Sequence, residues 1–209
     1  MNKALLVLVF VMSFSLVSGA QELFTEVQAQ LTPESDRFTF RILGDKESFT
    51  FSAYGIHVIA PNGKEQMLDQ FDSVLPLGSE LDVFLVEDLN FDGFADLRIV
   101  KYLPGGANVP YLFWLYNPNA RAFEKAPHLE ELLSPEVDSA RGELISRQRI
   151  SAAEYQTNYY SLDGKKLVLL RRDERVYQAD GSSQIKYYEQ QDEKGLVLVK
   201  TANLSGPDL

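Results

Sequence analysis

The sequence predicts a mostly β fold, an antiparallel β-sandwich or a barrel-like meander with one short helix. Segments such as 37–42 alternate polar and apolar residues, which is the period of a strand with one face in water. Gly, Asn, Asp and Pro residues separate these segments at short intervals. Short strands joined by frequent turns are typical of antiparallel sandwiches and barrels.

The strand segments follow in chain order. Segment 57–60 is followed by an Asn62-Gly63 turn, which favours a hairpin into 66–71. In segment 111–116 the residues that would face either side of a strand are all apolar or aromatic, so we expect it at the centre of the fold. A short helix is expected at 127–133, where leucines recur at helical spacing. The remaining strands are predicted at 82–87, 97–103, 143–150, 155–161, 167–177, 185–190 and 196–200.

Two tyrosine pairs mark a faint repeat in the C-terminal third. Tyr159-Tyr160 and Tyr187-Tyr188 each precede a glycine-containing turn and a Leu-Val-Leu strand, which predicts two consecutive hairpins. Because neighbouring residues of a strand point to opposite faces, at most one tyrosine of each pair faces the core. The others, with Tyr155, are candidates for a sugar- or protein-binding face, and packing within the sheet explains them as well.

Residues 1–20 have the layout of a secretory signal peptide. Lys3 supplies a positive charge, residues 4–17 are almost continuously apolar, and Ser18-Gly19-Ala20 offers small residues at a cleavage site. The apolar run is shorter than the roughly 20 residues of a spanning helix, and no later segment is apolar enough to cross a bilayer. We therefore expect a periplasmic or secreted protein. We do not expect a lipoprotein, since Gln21 stands where a lipoprotein has Cys.

The composition narrows the possible functions. The chain has no cysteine, which excludes disulfides, thiol catalysis and cysteine-bound metals. Its formal net charge of −10 repels phosphate backbones, so nucleic acid is not an expected partner and a cationic protein is favoured. After the signal peptide, residues 21–80 form an N-terminal β segment of unclear assignment, and residues 81–209 are expected to form a β domain. The oligomeric state stays open.

The most specific motif is an acidic loop, residues 88–96, which reads Asp-x-Asn-x-Asp-Gly-x-x-Asp. Side-chain oxygens recur at every second position of its first half, and Gly93 permits the sharp turn that follows. Ca²⁺ takes about six to eight oxygen ligands, and a chain wrapped around it presents alternate side chains inward. The motif therefore predicts a Ca²⁺ site formed by the side chains of Asp88, Asn90, Asp92 and Asp96 and the backbone carbonyl of Phe94.

Two features of this loop differ from an EF-hand. Its twelfth position is Ile99 instead of a bidentate Glu, and its flanks have the pattern of strands. One ligand must then come from water, from a bidentate Asp or from elsewhere in the chain, so we expect weak affinity and a structural role for the ion. The alternative is a solvated Asp/Asn turn without an ion.

Three segments together carry a family resemblance: the acidic loop, a glycine-rich loop at 104–110, and 111–118 followed by Phe123. They resemble a group of bacterial exported proteins with a calcium loop like that of FG-GAP repeats. The group includes periplasmic inhibitors of invertebrate-type lysozyme and immunity proteins against secreted lysozyme-like toxins. The resemblance covers about residues 80–200. It implies a mostly β, Ca²⁺-binding protein that inserts a loop into the cleft of a lysozyme.

The loop that corresponds in this chain is 103–111. The serine that such inhibitors typically offer is missing from it. Two glycines flanked by prolines also describe an exposed, partly stiffened loop, which is typical of a recognition surface, and an ordinary hairpin connection is the alternative. The partner-binding residues implied are Gly105, Gly106, Ala107, Asn108 and Tyr111.

No catalytic motif stands out, so we expect a protein that is not an enzyme. His57 and His128 are the only histidines, and no Gly-x-Ser-x-Gly motif accompanies the serines. The leading hypothesis is a Ca²⁺-binding inhibitor or immunity protein for a cationic lysozyme-like hydrolase. The alternatives are an FG-GAP-like envelope adhesion module with a structural calcium, and a purely structural envelope protein.

Overall fold

The computed structural model of the chain describes residues 22–78, 83–191 and 194–206. The expected signal peptide at 1–20 lies outside these residues. The described part contains fifteen strands in three antiparallel sheets and one turn of 3₁₀ helix, so the predicted mostly β class is confirmed. No helix in these three ranges has the length and apolar character that a membrane span needs.

The first sheet accounts for the N-terminal segment. Its first four strands are neighbours in chain order, and the fifth pairs with the N-terminal half of the third. The strands are β1 (Glu22–Gln30), β2 (Arg37–Lys46), β3 (Thr50–Ile59), β4 (Glu65–Leu68) and β5 (Ser73–Pro76).

The second and third sheets are simple meanders, in which each strand pairs with the next one along the chain. The second sheet consists of β6 (Phe84–Glu87), β7 (Asp96–Val100), β8 (Tyr111–Asn117) and β9 (Ala122–Lys125). The third sheet consists of β10 (Pro135–Asp138), β11 (Glu143–Arg149), β12 (Glu154–Asp163), β13 (Lys166–Tyr177), β14 (Ser183–Gln191) and β15 (Gly195–Leu204).

Buried side chains of the first two sheets form one hydrophobic cluster, which the third sheet joins through Leu144. Phe40, Phe51 and Phe113 are among its largest fully buried members, and burying a side chain of this kind stabilises the fold by about 1.5–3 kcal/mol. The expected central position of 111–116 is confirmed, because the first four residues of β8 are buried. The cluster contains residues from both sides of residue 80.

Most predicted strands differ from the observed ones in their bounds, and two of them run three residues beyond the observed end. The strand expected at 97–103 ends at Val100. The next residue, Lys101, still donates its N–H to the Pro110 carbonyl and accepts at its carbonyl from the Val74 N–H, both at 2.9 Å. The strand expected at 66–71 begins at 65 and ends at 68, and Phe71 then turns into the core.

The helix expected at 127–133 is a single 3₁₀ turn, Pro127–Leu129. No side chain caps its N-terminus, and beyond it Leu133 forms a β-bridge with Pro110 instead of continuing the helix. The leucine spacing correctly indicated burial, since Leu129 and Leu132 both have 0% exposure.

Side chains tie the first sheet to the second. The Gln66 amide donates to the Phe123 carbonyl at 2.8 Å and accepts from the Phe123 N–H at 2.9 Å. The buried Ser73 hydroxyl donates to the Val100 carbonyl at 2.5 Å. These bonds satisfy backbone groups at two points where neighbouring sheets meet, which buried polar groups require.

One buried arginine ties the second sheet to the third. Arg98 on β7 is 6% exposed. Its Nη1 donates to the carbonyl of Pro135, the first residue of β10, and its Nε forms an ion pair with Glu87 at 2.5 Å. The guanidinium also lies 4.8 Å from the centre of the Tyr111 ring. The strands that flank the acidic loop are thereby fixed against the third sheet.

The two hairpins predicted from the tyrosine pairs are confirmed as β12–β13 and β14–β15. A register shift falls between Tyr159 and Tyr160 in the first hairpin and between Tyr187 and Tyr188 in the second. The irregularity therefore lies within each tyrosine pair.

Candidate functional site

The acidic loop connects β6 to β7, with Asp96 as the first residue of β7. The loop closes on its own backbone. The Asp88 carboxylate accepts from the Asp92 N–H at 3.2 Å and from the Gly93 N–H at 2.9 Å. Gly93 adopts a φ of +88°, which the sharp turn requires. The first half of the loop is therefore folded inward around the Asp88 side chain.

The two other side chains of this half also bond within the loop. The Asn90 side-chain oxygen accepts from the Asp92 N–H at 3.0 Å, and the Asp92 carboxylate accepts from the Phe94 N–H at 2.9 Å. The Asn90 amide nitrogen donates to the other Asp92 oxygen at 3.0 Å. Phe94 packs against the core and lies 5.6 Å from the Tyr116 ring, as expected if its backbone faces the loop.

Asp96 differs from the other loop carboxylates because it is fully buried, with 0% exposure. One oxygen accepts from the Leu89 N–H at 2.9 Å and the other from the Tyr116 N–H at 2.7 Å. Burial raises the pKa of Asp96 to about 7; the two hydrogen bonds oppose the shift, and the charges of Asp92 and Asp88 add to it. Asp96 thus joins the acidic loop to β8.

The described residues contain no group of three or more His, Cys, Asp or Glu side chains that could hold a metal ion. Asp88, Asp92 and Asp96 are therefore not gathered as a ready three-carboxylate site. Together with Asn90 and the Phe94 carbonyl they still form an all-oxygen donor set on nine consecutive residues, which is the chemistry that Ca²⁺ prefers.

The glycine-rich loop has an exposed tip and a fixed base. Gly105, Gly106 and Ala107 are exposed, and no heavy atom outside the local chain lies within 4 Å of a side chain placed at either glycine. Asn108 fixes the base, because its amide donates to the Arg149 carbonyl at 3.0 Å and accepts from the Arg149 N–H at 2.7 Å.

Ser134 holds the same base from a second side. Its hydroxyl donates to the Ala107 carbonyl at 2.8 Å and accepts from the Val109 N–H at 3.0 Å. Tyr111, expected among the partner-binding residues, is instead 6% exposed, under Arg98 and 6.3 Å from the Phe113 ring. The surface of the loop is thus formed by residues 105–108.

A groove on the third sheet is lined by Tyr155, Tyr159 and Tyr187, which the sequence marked as candidates for a binding face, and by arginines that it did not indicate. We call it the tyrosine–arginine groove, and it has a volume of about 440 Å³. Ala107 and Asn108 form part of its rim, so it adjoins the glycine-rich loop. Its floor includes Arg149 on β11, Tyr155 and Tyr159 on β12, Arg175 and Tyr177 on β13, and Tyr187 on β14.

The sequence does contain a pattern that points to this groove, but the pattern can be recognised only when the register of the strands is known. Tyr155, Thr157 and Tyr159 alternate along β12, and Arg171, Asp173 and Arg175 alternate along β13. The register pairs Tyr155 with Arg175 and Tyr159 with Arg171, which puts both sets on one face. The tyrosine pairs divide as expected, because Tyr159 lies in the groove and Tyr160 packs against the core.

The two histidines have separate environments. His57 on β3 bonds through Nε2 to Glu65 on β4 at 2.9 Å. His128 lies in the 3₁₀ turn, and its Nε2 is buried without a hydrogen-bond partner among the described residues. Burial lowers the pKa of His128, and the charge of Lys165 lowers it further.

Comparison with known proteins shows the fold alone. No model of a protein family matches the chain, and no curated protein matches its sequence. The chain is similar to a Xanthomonas protein related to a type IV secretion system, with a TM-score of 0.63, 13% identity, and coverage of 84% of this chain and 93% of that chain. A Bacteroides fragilis protein of unknown function matches with a TM-score of 0.32 and 8% identity over 87% of this chain and 92% of that chain. Neither protein is described as an enzyme.

Proposed function

We propose that the protein is exported, binds Ca²⁺ at the acidic loop and inhibits a cationic lysozyme-like hydrolase by placing the glycine-rich loop in the cleft of that enzyme. The observation that carries the proposal is an exposed loop tip, 105–107, on a base held by Asn108 and Ser134. The fold likeness to a Xanthomonas protein related to a type IV secretion system supports an exported bacterial protein.

The hydrogen bonds at the base favour binding by lowering its entropic cost. A flexible loop loses conformational freedom when it enters a cleft, and a loop that is already ordered loses less. The oxygen and the nitrogen of the Asn108 side-chain amide are both engaged with the Arg149 backbone, so the base is pre-organised in the free protein. The tip itself has no charged side chain and fits a narrow cleft without desolvating an ion.

The net charge of −10 supports a cationic partner through long-range attraction. Such attraction raises association rates and falls with ionic strength. In the proposed complex, Gly105, Gly106, Ala107 and Asn108 make the contacts, and the buried Tyr111 positions the start of β8.

The donor set of the acidic loop fits a calcium ion. Oxygen atoms are the ligands of this hard cation, and the residues that would hold it are Asp88, Asn90, Asp92 and Asp96 with the Phe94 carbonyl. Burial raises the pKa of Asp96, and the charges of Asp92 and Asp88 add to the shift. A bound ion would neutralise these carboxylates. We propose a structural ion that stabilises the connection between β6, β7 and β8.

A lysis assay on peptidoglycan tests the inhibitory function. The mature protein at micromolar concentration is expected to slow at least one lysozyme-like enzyme, and Ala107→Trp at the tip is expected to abolish the effect. Ala120→Trp is a matched control at the exposed β8–β9 turn and should inhibit like the wild type. If no lysozyme of any class is slowed, the inhibitor function is wrong and the FG-GAP-like adhesion module becomes the better hypothesis.

Calorimetric titration of the chelated protein with CaCl₂ tests the ion separately. We expect a saturable heat for the wild type and for Asp72→Asn, which changes an exposed aspartate outside the loop, and no such heat for Asp92→Asn. An absence of heat from the wild type contradicts the Ca²⁺ site and leaves the lysis assay as an independent result.

A further inference from the structure

The tyrosine–arginine groove presents rings and cations in rows across the third sheet. The register places Arg149 beside Tyr155, Tyr155 beside Arg175, and Arg175 beside Ile185. Tyr155 and Tyr177 pack edge to face with ring centres 5.7 Å apart, and both are more than one third exposed. Flat rings are therefore available to a ligand at the open end of the groove.

The backbone beneath the groove is not available for hydrogen bonds to a ligand. Strands β11 to β14 each pair with a neighbour on both sides, so their N–H and C=O groups are already used in the sheet. A peptide therefore cannot add here as another strand, which is the common way of binding an extended chain to a sheet. Whatever binds this face is recognised by side chains alone.

The charges of the groove favour an anion. Arg147 is neutralised by a bidentate ion pair with Glu136, at 2.7 and 3.1 Å, and Asp173 accepts from the Tyr159 hydroxyl at 3.1 Å. Arg149 has no carboxylate partner among the described residues; it donates to the carbonyls of Ser151 at 3.0 Å and Ala152 at 3.5 Å.

Arg175 adds a second cation to the same row. It donates to the Ser183 hydroxyl at 3.3 and 3.1 Å, and its guanidinium lies 4.6 Å from the centre of the Tyr177 ring. Arg147, Arg149, Arg175 and Asp173 line the groove, with Arg147 already paired to Glu136, in a chain whose net charge is −10. An anionic ligand is repelled by the remaining surface and attracted at this place.

We propose that the tyrosine–arginine groove binds a short oligosaccharide that carries carboxylates. Sugar rings have apolar C–H faces that pack on tyrosine rings and hydroxyl edges that bond to Thr157 and the tyrosine hydroxyls. A guanidinium binds a carboxylate through two parallel hydrogen bonds, which is the role assigned to Arg149. The volume of about 440 Å³ lies within the range of ligand pockets.

Binding of a sugar in the groove is tested apart from the inhibitory function proposed above, and trigalacturonate is the probe. Calorimetry is expected to give saturable binding that weakens with added salt. The fully methyl-esterified trimer has the same rings without charge, and it should bind at least about tenfold more weakly, as the loss of one charge-assisted hydrogen bond predicts.

Variants place the binding in the groove. Arg149→Gln and Tyr177→Ala should each weaken binding of trigalacturonate by about tenfold, whereas Arg37→Gln, an exposed arginine on β2, should bind like the wild type. Far-ultraviolet circular dichroism and thermal unfolding check that each variant is folded.

Four results overturn the proposal: no binding of trigalacturonate at about 10 mM, equal binding of the acid and its ester, wild-type binding by both groove variants, or tighter binding of hexaglutamate than of trigalacturonate. The last result assigns the groove to an acidic peptide. Inhibition of a lysozyme is measured separately and does not bear on any of these outcomes.

Discussion

The acidic loop and the tyrosine–arginine groove position polar side chains in opposite ways. The loop takes all of its side chains from residues 88–96, and most of their bonds go to the backbone of the same segment. The groove takes most of its side chains from the four strands β11 to β14. Arg149 on β11, for example, lies over the ring of Tyr155 on β12. One site is built by local chain folding and the other by strand pairing.

The two regions also differ in their link to the core. Asp96 is fully buried and joins the acidic loop to β8, whereas Arg149, Tyr155 and Tyr177 in the groove are exposed. Substitutions around the acidic loop should therefore change stability, and substitutions in the groove should change binding at nearly constant stability. The following measurements test this division.

The largest effect is expected from Arg98→Ala, which acts on the junction between the second and third sheets. The substitution leaves Glu87 without its cation and the Pro135 carbonyl without its donor, and breaking a buried pair in this way costs about 4 kcal/mol. Urea unfolding measures the loss. Arg37→Ala is the surface control and should change the free energy of unfolding by less than about 0.5 kcal/mol. Equal effects of the two variants would contradict the stabilising role of Arg98 between the sheets.

A smaller loss is expected from Asp96→Ala. The Leu89 and Tyr116 N–H groups lose their acceptor, and unsatisfied buried donors of this kind together cost about 3 kcal/mol. The measurement is chemical unfolding at pH 5 in the presence of chelator. At this pH Asp96 is mostly protonated, so removing its negative charge contributes little to the change in stability. Asp72→Ala provides the exposed control. If Asp96→Ala is as stable as this control, the hydrogen bonds of Asp96 do not stabilise the acidic loop.

The metal-free protein should lose stability as pH rises from about 4 to about 7. The pKa of Asp96 is raised by burial from 3.8 to about 7 in the folded chain, so the folded state binds a proton more tightly than the unfolded state. The stabilisation is complete below pH 3.8 and is lost as pH rises through the folded value. Solvent relaxation reduces the full shift, so we expect a loss of about 2 kcal/mol.

Thermal unfolding in chelator across this pH range measures the effect. Asp96→Asn cannot ionise and should show a flatter profile than the wild type. The pKa of Glu87 is raised in the same direction, by burial and against the charge of Arg98, so a weaker slope of the same sign remains in that variant. A wild-type profile that rises between pH 4 and 7 contradicts the prediction.

The smallest effect is expected from Asn108→Ala, where the glycine-rich loop meets the rim of the groove. Two partly exposed hydrogen bonds to the Arg149 backbone are lost, at a cost of about 1 kcal/mol because water replaces them. Amide hydrogen exchange should become faster in 104–109 and stay unchanged in the acidic loop. Faster exchange in both segments would show that the two regions are coupled.

Particular elements show how far the sequence could predict this molecule. The alternation at 37–42 and the apolar segment 111–116 correctly indicated strands, and the tyrosine pairs correctly indicated two hairpins. The helix at 127–133 was wrong because leucine spacing reports burial and not hydrogen bonding, and the bridge between Leu133 and Pro110 competes for the same backbone. The Ca²⁺ site and the inhibitory loop stay predictions.

The sequence by itself determined the β class, the turns and the folded acidic loop, because period-two hydrophobicity and an Asp-x-Asn-x-Asp-Gly pattern act over a few consecutive residues. Only the tertiary structure decided that Tyr111 is buried, that Arg98 joins two sheets, and that Arg149, Tyr155 and Arg175 share one row. These outcomes depend on which strands pair and in which register. A shift of one residue would turn every groove side chain to the opposite face, and no local pattern records that choice.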